Sequence, residues 1–317
     1  MKNPVDIHPG TVVQGKWHKQ TYRIVRKLGS GANGSVYLAE VNGKKVAMKM
    51  SRDVRIITSE VNVLKSFAKA QGDVPLGPSL FDVDDWNVGT NTIPFYVMEY
   101  IDGTPFLHFI EQKGKSWVPV LILQLLSELD KLHHAGWIFG DLKPENLIVT
   151  STPFRVRCVD VGGATQFSRS VKEFTEFFDR GFWGLGSRKA EPSYDLFAVA
   201  MIMINCYYPN RFPKKEGGLV QLNRIIRENR ELARYEDILL KAITGKYTDA
   251  RHMHQEMIRD IQRQVSQGKG LQQTQGSRRQ KSPQKKVRSR FIGVLETVLI
   301  IFIICFLYVA YIMEKIM

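Results

Sequence analysis

Three glycines in Gly29-Ser30-Gly31-Ala32-Asn33-Gly34 stand between two strand-like runs, residues 22–28 and 35–41. Backbone without Cβ folds tightly over a polyphosphate and offers its N–H groups to the oxygens. A purely structural hairpin has the same composition. A dinucleotide-binding unit needs a helix directly after such glycines, and here a strand carrying Val36 follows. A third run, 45–50, comes after Gly43 at a hairpin. The front of the chain is thereby committed to hairpin-linked strands, and the Rossmann class is excluded.

The pattern then changes. Residues 54–69 take helical spacing, with Ile56, Val63, Leu64 and Phe67 near one face. A strand at 92–100 follows the Gly-, Pro- and Asp-rich stretch 72–91. From 117 a broad apolar helix runs until Gly136 stops it. Short strands recur at 147–149 and 155–159, and helices dominate from about 191 to 265. Strands first and helices later give an α+β class with a small β-rich lobe joined to a larger α-rich one. The 317 residues accommodate one such domain of about 250 residues plus extras. Cys158, Cys206 and Cys305 form no CxxC pair, which argues against a disulfide framework or zinc site and fits a reducing compartment. The N-terminus lacks the apolar core of a secretory signal.

Polar residues supply the chemistry. Lys49 ends the apolar strand Val46-Ala47-Met48, fifteen residues after Gly34. A lysine there ordinarily snorkels to solvent. In this setting it can meet the α- and β-phosphates of a nucleotide while Glu60, in the next helix, holds its ammonium. Two further blocks follow, Asp141-Leu142-Lys143-Pro144-Glu145-Asn146 and Asp160-Val161-Gly162.

In this order and spacing the blocks resemble a Hanks-type protein kinase over residues 22–262. Within that family the chain is similar to the short, C-terminally membrane-anchored Ser/Thr kinases of spore-forming Bacillus-type bacteria, which implies a link to sporulation. The resemblance implies a bilobal fold, an N-lobe of 22–97 and a C-lobe of 101–262, and ATP with Mg²⁺, or Mn²⁺ in its place. It also implies roles for particular residues. Asp141 would accept the proton of the substrate hydroxyl, Lys143 would neutralise the transferred phosphoryl group, and Asn146 and Asp160 would hold the metal. Leu28, Gly29, Gly31, Gly34, Val36, Ala47, Lys49 and Glu60 would form the nucleotide site. Met98, Glu99 and Tyr100 would form the hinge that meets adenine, and Asp195 would support the catalytic loop from a central helix. Lys143 implies Ser or Thr substrates, with autophosphorylation among the reactions.

The chain also departs from the family pattern. Phe139-Gly140 replaces the usual His-Arg before the catalytic aspartate, so no arginine there can dock an activation-loop phosphate. Switching is therefore expected to run by another route. No Ala-Pro-Glu closes the activation segment, and Arg251, which resembles the usual partner of that glutamate, is left without an evident one. Ser168, Ser170 and Thr175 are candidate autophosphorylation sites. These departures keep an alternative open, a pseudokinase scaffold holding DNA or a partner at the membrane.

Residues 1–21 read as an N-terminal extension and 263–290 as a basic flexible linker. Nine cations and no acid fall in that linker, so only about five units of the net charge of +14 belong elsewhere. Residues 291–313 form an apolar run long enough to cross a bilayer as a helix, with 314–317 as a short outer tail. The basic flank places the kinase domain in the cytoplasm and the C-terminus outside. Arg278, Arg279, Lys281, Lys285, Lys286, Arg288 and Arg290 are suited to anionic lipid. They are equally suited to the phosphates of DNA, without sequence readout because no aromatic residue lies among them. Oligomerisation on either polyanion, with stimulated autophosphorylation, is a further expectation.

Overall fold

The computed structural model of the chain describes residues 5–31, 33–71 and 76–275. The N-lobe is one six-stranded antiparallel sheet in the order β1-β2-β3-β4-β6-β5, formed by β1 (Val12–Gln14), β2 (Thr21–Gly31), β3 (Gly34–Val41), β4 (Lys44–Met50), β5 (Leu80–Val88) and β6 (Asn91–Glu99). Helix α1 (Val54–Gln71) packs against it, with Ile57, Val61, Leu64 and Phe67 buried. The inward position is Ile57 rather than Ile56, because 57, 61 and 64 share the 3.6-residue face of Glu60.

Strand β5 lies inside the stretch 72–91, where the sequence shows mainly turn formers and acids. Its acids have partners that the sequence does not place beside them. Asp84, 4% exposed, accepts from the backbone N–H of Trp17 at 2.9 Å and of His18 at 2.8 Å. Burial opposes its charge, but those N–H groups and that of Asp85 outweigh it and hold the carboxyl below its usual pKa. Lys16 N–H also donates to the Asp85 carbonyl at 2.8 Å. The connection from β1 to β2 thus reaches the opposite edge strand of the sheet. Residues 5–21, set apart above as an extension, are accordingly part of the N-lobe. Val5, Ile7 and Val13 sit in its core with Tyr22, Tyr37 and Phe95.

The C-lobe follows in chain order: β7 (Thr104–Pro105), α2 (Phe106–Lys113), α3 (Trp117–His134), β8 (Trp137–Ile138), β9 (Leu147–Val149), β10 (Val156–Cys158), β11 (Thr165–Gln166), α4 (Arg180–Trp183), α5 (Pro192–Tyr207), α6 (Gly218–Glu228), α7 (Arg230–Ala233), α8 (Glu236–Ile243) and α9 (Ala250–Gln275). Helix α5 is buried along its whole length from Tyr194 to Cys206, against α3 and α8, so it forms the floor on which the loops rest. Helix α9 continues to Gln275, through residues read above as the start of the flexible linker. Met253 and Met257 anchor its first turns in the core. Extending an anchored helix through Gln and Lys adds hydrogen bonds without a new nucleation cost.

Among the described residues no helix is long and apolar enough to cross a membrane. The apolar run 291–313 and the cations from Arg278 to Arg290 lie outside the described residues.

Candidate active site

Lys49 sits mid-sheet, paired in register with Val36 on one side and Tyr96 on the other. Its side chain is 6% exposed and donates to Glu60 Oε1 at 2.7 Å; Asp160 Oδ1 lies 3.7 Å away. Tyr96 donates its hydroxyl to the other Glu60 oxygen at 2.9 Å. Burial works against the ammonium, but the Asp160 and Glu60 carboxylates outweigh it and hold Lys49 above its usual pKa. The lysine is therefore a fixed cation.

This cation faces a cleft of about 500 Å³. Of the predicted residues, Leu28, Gly29, Val36, Ala47, Lys49, Glu99, Tyr100, Asn146 and Asp160 line it. Gly31 and Gly34 form the hairpin between β2 and β3. Gly34 has φ +131°, and a Cβ there would overlap the Met50 carbonyl oxygen, so only glycine fits that turn. Glu60 acts on the cleft through Lys49. Asp141 and Lys143 are not in its wall; they join it through Asn146, whose Nδ2 donates to the Asp141 carbonyl at 2.9 Å.

The catalytic loop is held from beneath. Asp195 on α5, fully buried, accepts from the backbone N–H of Phe139 at 2.7 Å and of Gly140 at 2.9 Å, and pairs with His133 Nε2 at 2.9 Å. Phe139, standing where a histidine was expected, is buried in the same core cluster as Val161. Gly140 has φ +82°, and a Cβ there would overlap the Gly163 carbonyl oxygen. No side chain fits at 140, an arginine included.

The structure gives partners to three residues of this region. Thr175, a candidate phosphorylation site in the sequence, lies against Asp141 and Lys143. Its hydroxyl donates to Asp141 Oδ1 at 3.1 Å and accepts from Lys143 Nζ at 3.1 Å, while Lys143 also meets Asp141 Oδ2 at 2.5 Å. Arg251 has a partner, Asp130 on α3, at 3.1 Å. Glu191, just before α5, is bound by Arg180 at 2.7 Å.

Sequence reasoning missed other residues of the site. Glu173 in the activation segment accepts from Asn33 Nδ2 of the glycine hairpin at 2.7 Å, across the cleft. Arg157 grips Glu99 with Nη1 at 3.0 Å and Nη2 at 2.8 Å. His133, Glu173 and Arg157 occupy ordinary positions in their elements, and only their three-dimensional partners distinguish them.

A buried lysine–glutamate pair, an acid–amide pair and a glycine hairpin around one interlobe cleft define the protein kinase class. The comparison with known families agrees: the protein kinase domain matches residues 22–267. The chain belongs to the protein kinase family, as a Hanks-type Ser/Thr protein kinase that transfers phosphoryl groups from ATP. It is 49% identical to the serine/threonine-protein kinase YabT of Bacillus subtilis, over 96% of this chain and 95% of that one. It is 26% identical to a probable serine/threonine-protein kinase PknB of Lactococcus lactis over 78% of this chain and 42% of that one. It is also 31% identical to the serine/threonine-protein kinase Pkn1 of Myxococcus xanthus over 45% and 21%, respectively.

Proposed function

We propose that the cleft binds ATP with Mg²⁺ and that Asp141 takes the proton from a protein Ser or Thr hydroxyl. The observation that carries this reading is the fixed Lys49 cation with Glu60 and Asp160 around it. Lys49 meets the α- and β-phosphates, the Gly29–Gly34 hairpin covers them, and Glu99 and Tyr100 lie where backbone groups meet adenine. Lys143 and Thr175 orient the Asp141 carboxylate toward the incoming hydroxyl. The donors suit a hard divalent cation, because Asn146 spends its nitrogen on the Asp141 carbonyl and keeps its oxygen, while the Asp160 carboxylate is half exposed. Mg²⁺ there, or Mn²⁺ in its place, neutralises charge on the phosphates.

The test is transfer of labelled γ-phosphate to the protein itself and to an added substrate. Asp141→Asn is expected to lower kcat by roughly 10²–10⁴-fold with the nucleotide Kd nearly unchanged. Lys49→Ala abolishes transfer as well, but it strands buried Glu60 at a cost of about 3–5 kcal/mol, so its folding must be checked. Undiminished transfer in Asp141→Asn removes the assignment of Asp141 as the proton acceptor.

We further propose that residues 291–313 tether the kinase to a membrane, with the kinase domain in the cytoplasm. The seven cations from Arg278 to Arg290, adjacent to that run, support anionic lipid or duplex DNA as a partner. Full-length protein in neutral-lipid vesicles is expected to autophosphorylate faster when duplex DNA is added at low salt, and less so as salt rises. No stimulation at low salt, or stimulation that survives replacing those cations with glutamine, excludes DNA.

A further inference from the structure

Glu173 is a carboxylate of the cleft that phosphoryl transfer leaves without a task. Its Oε1 accepts from Asn33 Nδ2 at 2.7 Å, which ties the activation segment to the glycine hairpin of the other lobe. Its Oε2 lies 3.5 Å from the point where a Cβ on Gly162 would stand. Glu60 Oε1 and Asp160 Oδ1 lie 3.0 and 3.2 Å from that same point. Three carboxylates therefore converge on the space that Gly162, lacking a side chain, leaves open.

Lys49 is the cation they share. Against the burial that opposes its charge, Glu173 adds to the pull of Asp160 and Glu60 on its ammonium. Glu60 is committed to Lys49 and Tyr96, and Asp160 is suited to a divalent cation. Glu173 has only the neutral Asn33 amide; Arg169 and Lys172, close to it in the chain, are exposed and form no ion pair with it. Phosphates that meet Lys49 beneath the hairpin thus enter a space holding three carboxylates against one ammonium.

We propose that Glu173 is a built-in brake on nucleotide binding: an activation-segment carboxylate that the Asn33 bond holds against the position of the ATP phosphates. The inference rests on the ATP site proposed above and adds to it a residue that works against binding. A charge-assisted bond keeps the brake in place while the cleft is empty. Repulsion grows with the charge of the nucleotide, so the brake acts on phosphates and not on the nucleoside.

The contact joins the ends of two side chains, so rotation about their own torsions opens it without moving either backbone. A cavity of about 400 Å³ beside Glu173, lined also by Ser59, Asn62 and Lys172, gives the carboxylate room to turn away. Opening of the contact and binding of ATP favour each other by one common factor. Nucleotide therefore also frees the activation segment from the hairpin.

The experiment is calorimetric titration of the full chain with adenosine, ADP and ATP, with a chelator present so that no divalent cation screens the phosphates. Glu173→Gln removes the charge and keeps an oxygen for Asn33. Its Kd is expected to fall about five- to tenfold for ATP, about two- to threefold for ADP and hardly at all for adenosine. Asn33→Ala, which frees the carboxylate to turn away, should give part of the ATP gain and add nothing to Glu173→Gln. A gain equal for all three ligands overturns the proposal, because Glu173 then acts through the shape of the hairpin. Unchanged or weaker ATP binding in Glu173→Gln overturns it as well. A full additional gain from Asn33→Ala overturns the role of the Asn33 bond. Binding of none of the three ligands by the wild type overturns the ATP site itself, whereas adenosine binding without the graded gain overturns only the brake.

Discussion

Two buried aspartates order the two loops that flank Asp141, and they do so differently. Asp195 holds the catalytic loop through two backbone N–H groups and the buried His133, all inside the core. Asp179 holds the activation segment. It accepts from Gly181 N–H at 3.1 Å and Phe182 N–H at 2.9 Å at the start of α4, from the Tyr194 hydroxyl at 2.9 Å, and from Arg188 at 2.6 Å. Arg188 is 41% exposed and lies 3.9 Å over the Phe174 ring, one residue from Thr175. The anchor of the catalytic loop is thus insulated from solvent, whereas that of the activation segment is joined to the surface by one arginine. Both anchors are built from the chain's own carboxylates. At position 140 no side chain fits, so none there can dock a phosphate.

The largest effect is expected at the insulated anchor. Asp195→Ala leaves two backbone donors and an imidazole facing a fully buried space, with no solvent to replace the carboxylate. The expected loss is about 3–5 kcal/mol of stability, read as a lowered urea midpoint. Phosphotransfer should fall even under conditions where the variant stays folded, because Gly140 precedes Asp141. A loss no greater than that of an exposed substitution would erase the distinction between the two anchors.

Much of this arrangement was legible in the sequence, and the reasons for the rest are local. The strands around Gly29–Gly34 and the helix at 117–134 are readable because hydrophobic period and turn residues agree there. Asp141, Asn146 and Asp160 are readable because their residue types recur at fixed spacing. Strand β5 is hidden, since Asp82, Asp84 and Asp85 read as a loop until residues 16–18 cover them. The contacts of Thr175 are hidden too: a hydroxyl in a loop suggests an acceptor of phosphate, and only the fold brings it to Lys143 and Asp141. The Asp179 anchor leaves no trace in spacing, because its partners come from α4, from α5 and from the segment between them.

The smallest effect is expected at the surface end of the second anchor. Arg188→Gln leaves Asp179 with Gly181 N–H, Phe182 N–H and the Tyr194 hydroxyl, so the buried carboxylate stays bonded and the Tm should move little. What is lost is the cation over Phe174, and with it the restraint on the stretch leading to Thr175. The KM for a protein substrate is expected to rise roughly two- to fivefold while the ATP Kd holds, the signature of lost substrate binding rather than lost chemistry. Faster proteolysis near Phe174 should accompany it. A fall in kcat as deep as that of Asp195→Ala would mean that Arg188 orders Asp141 as well, and that the two loops share one anchor.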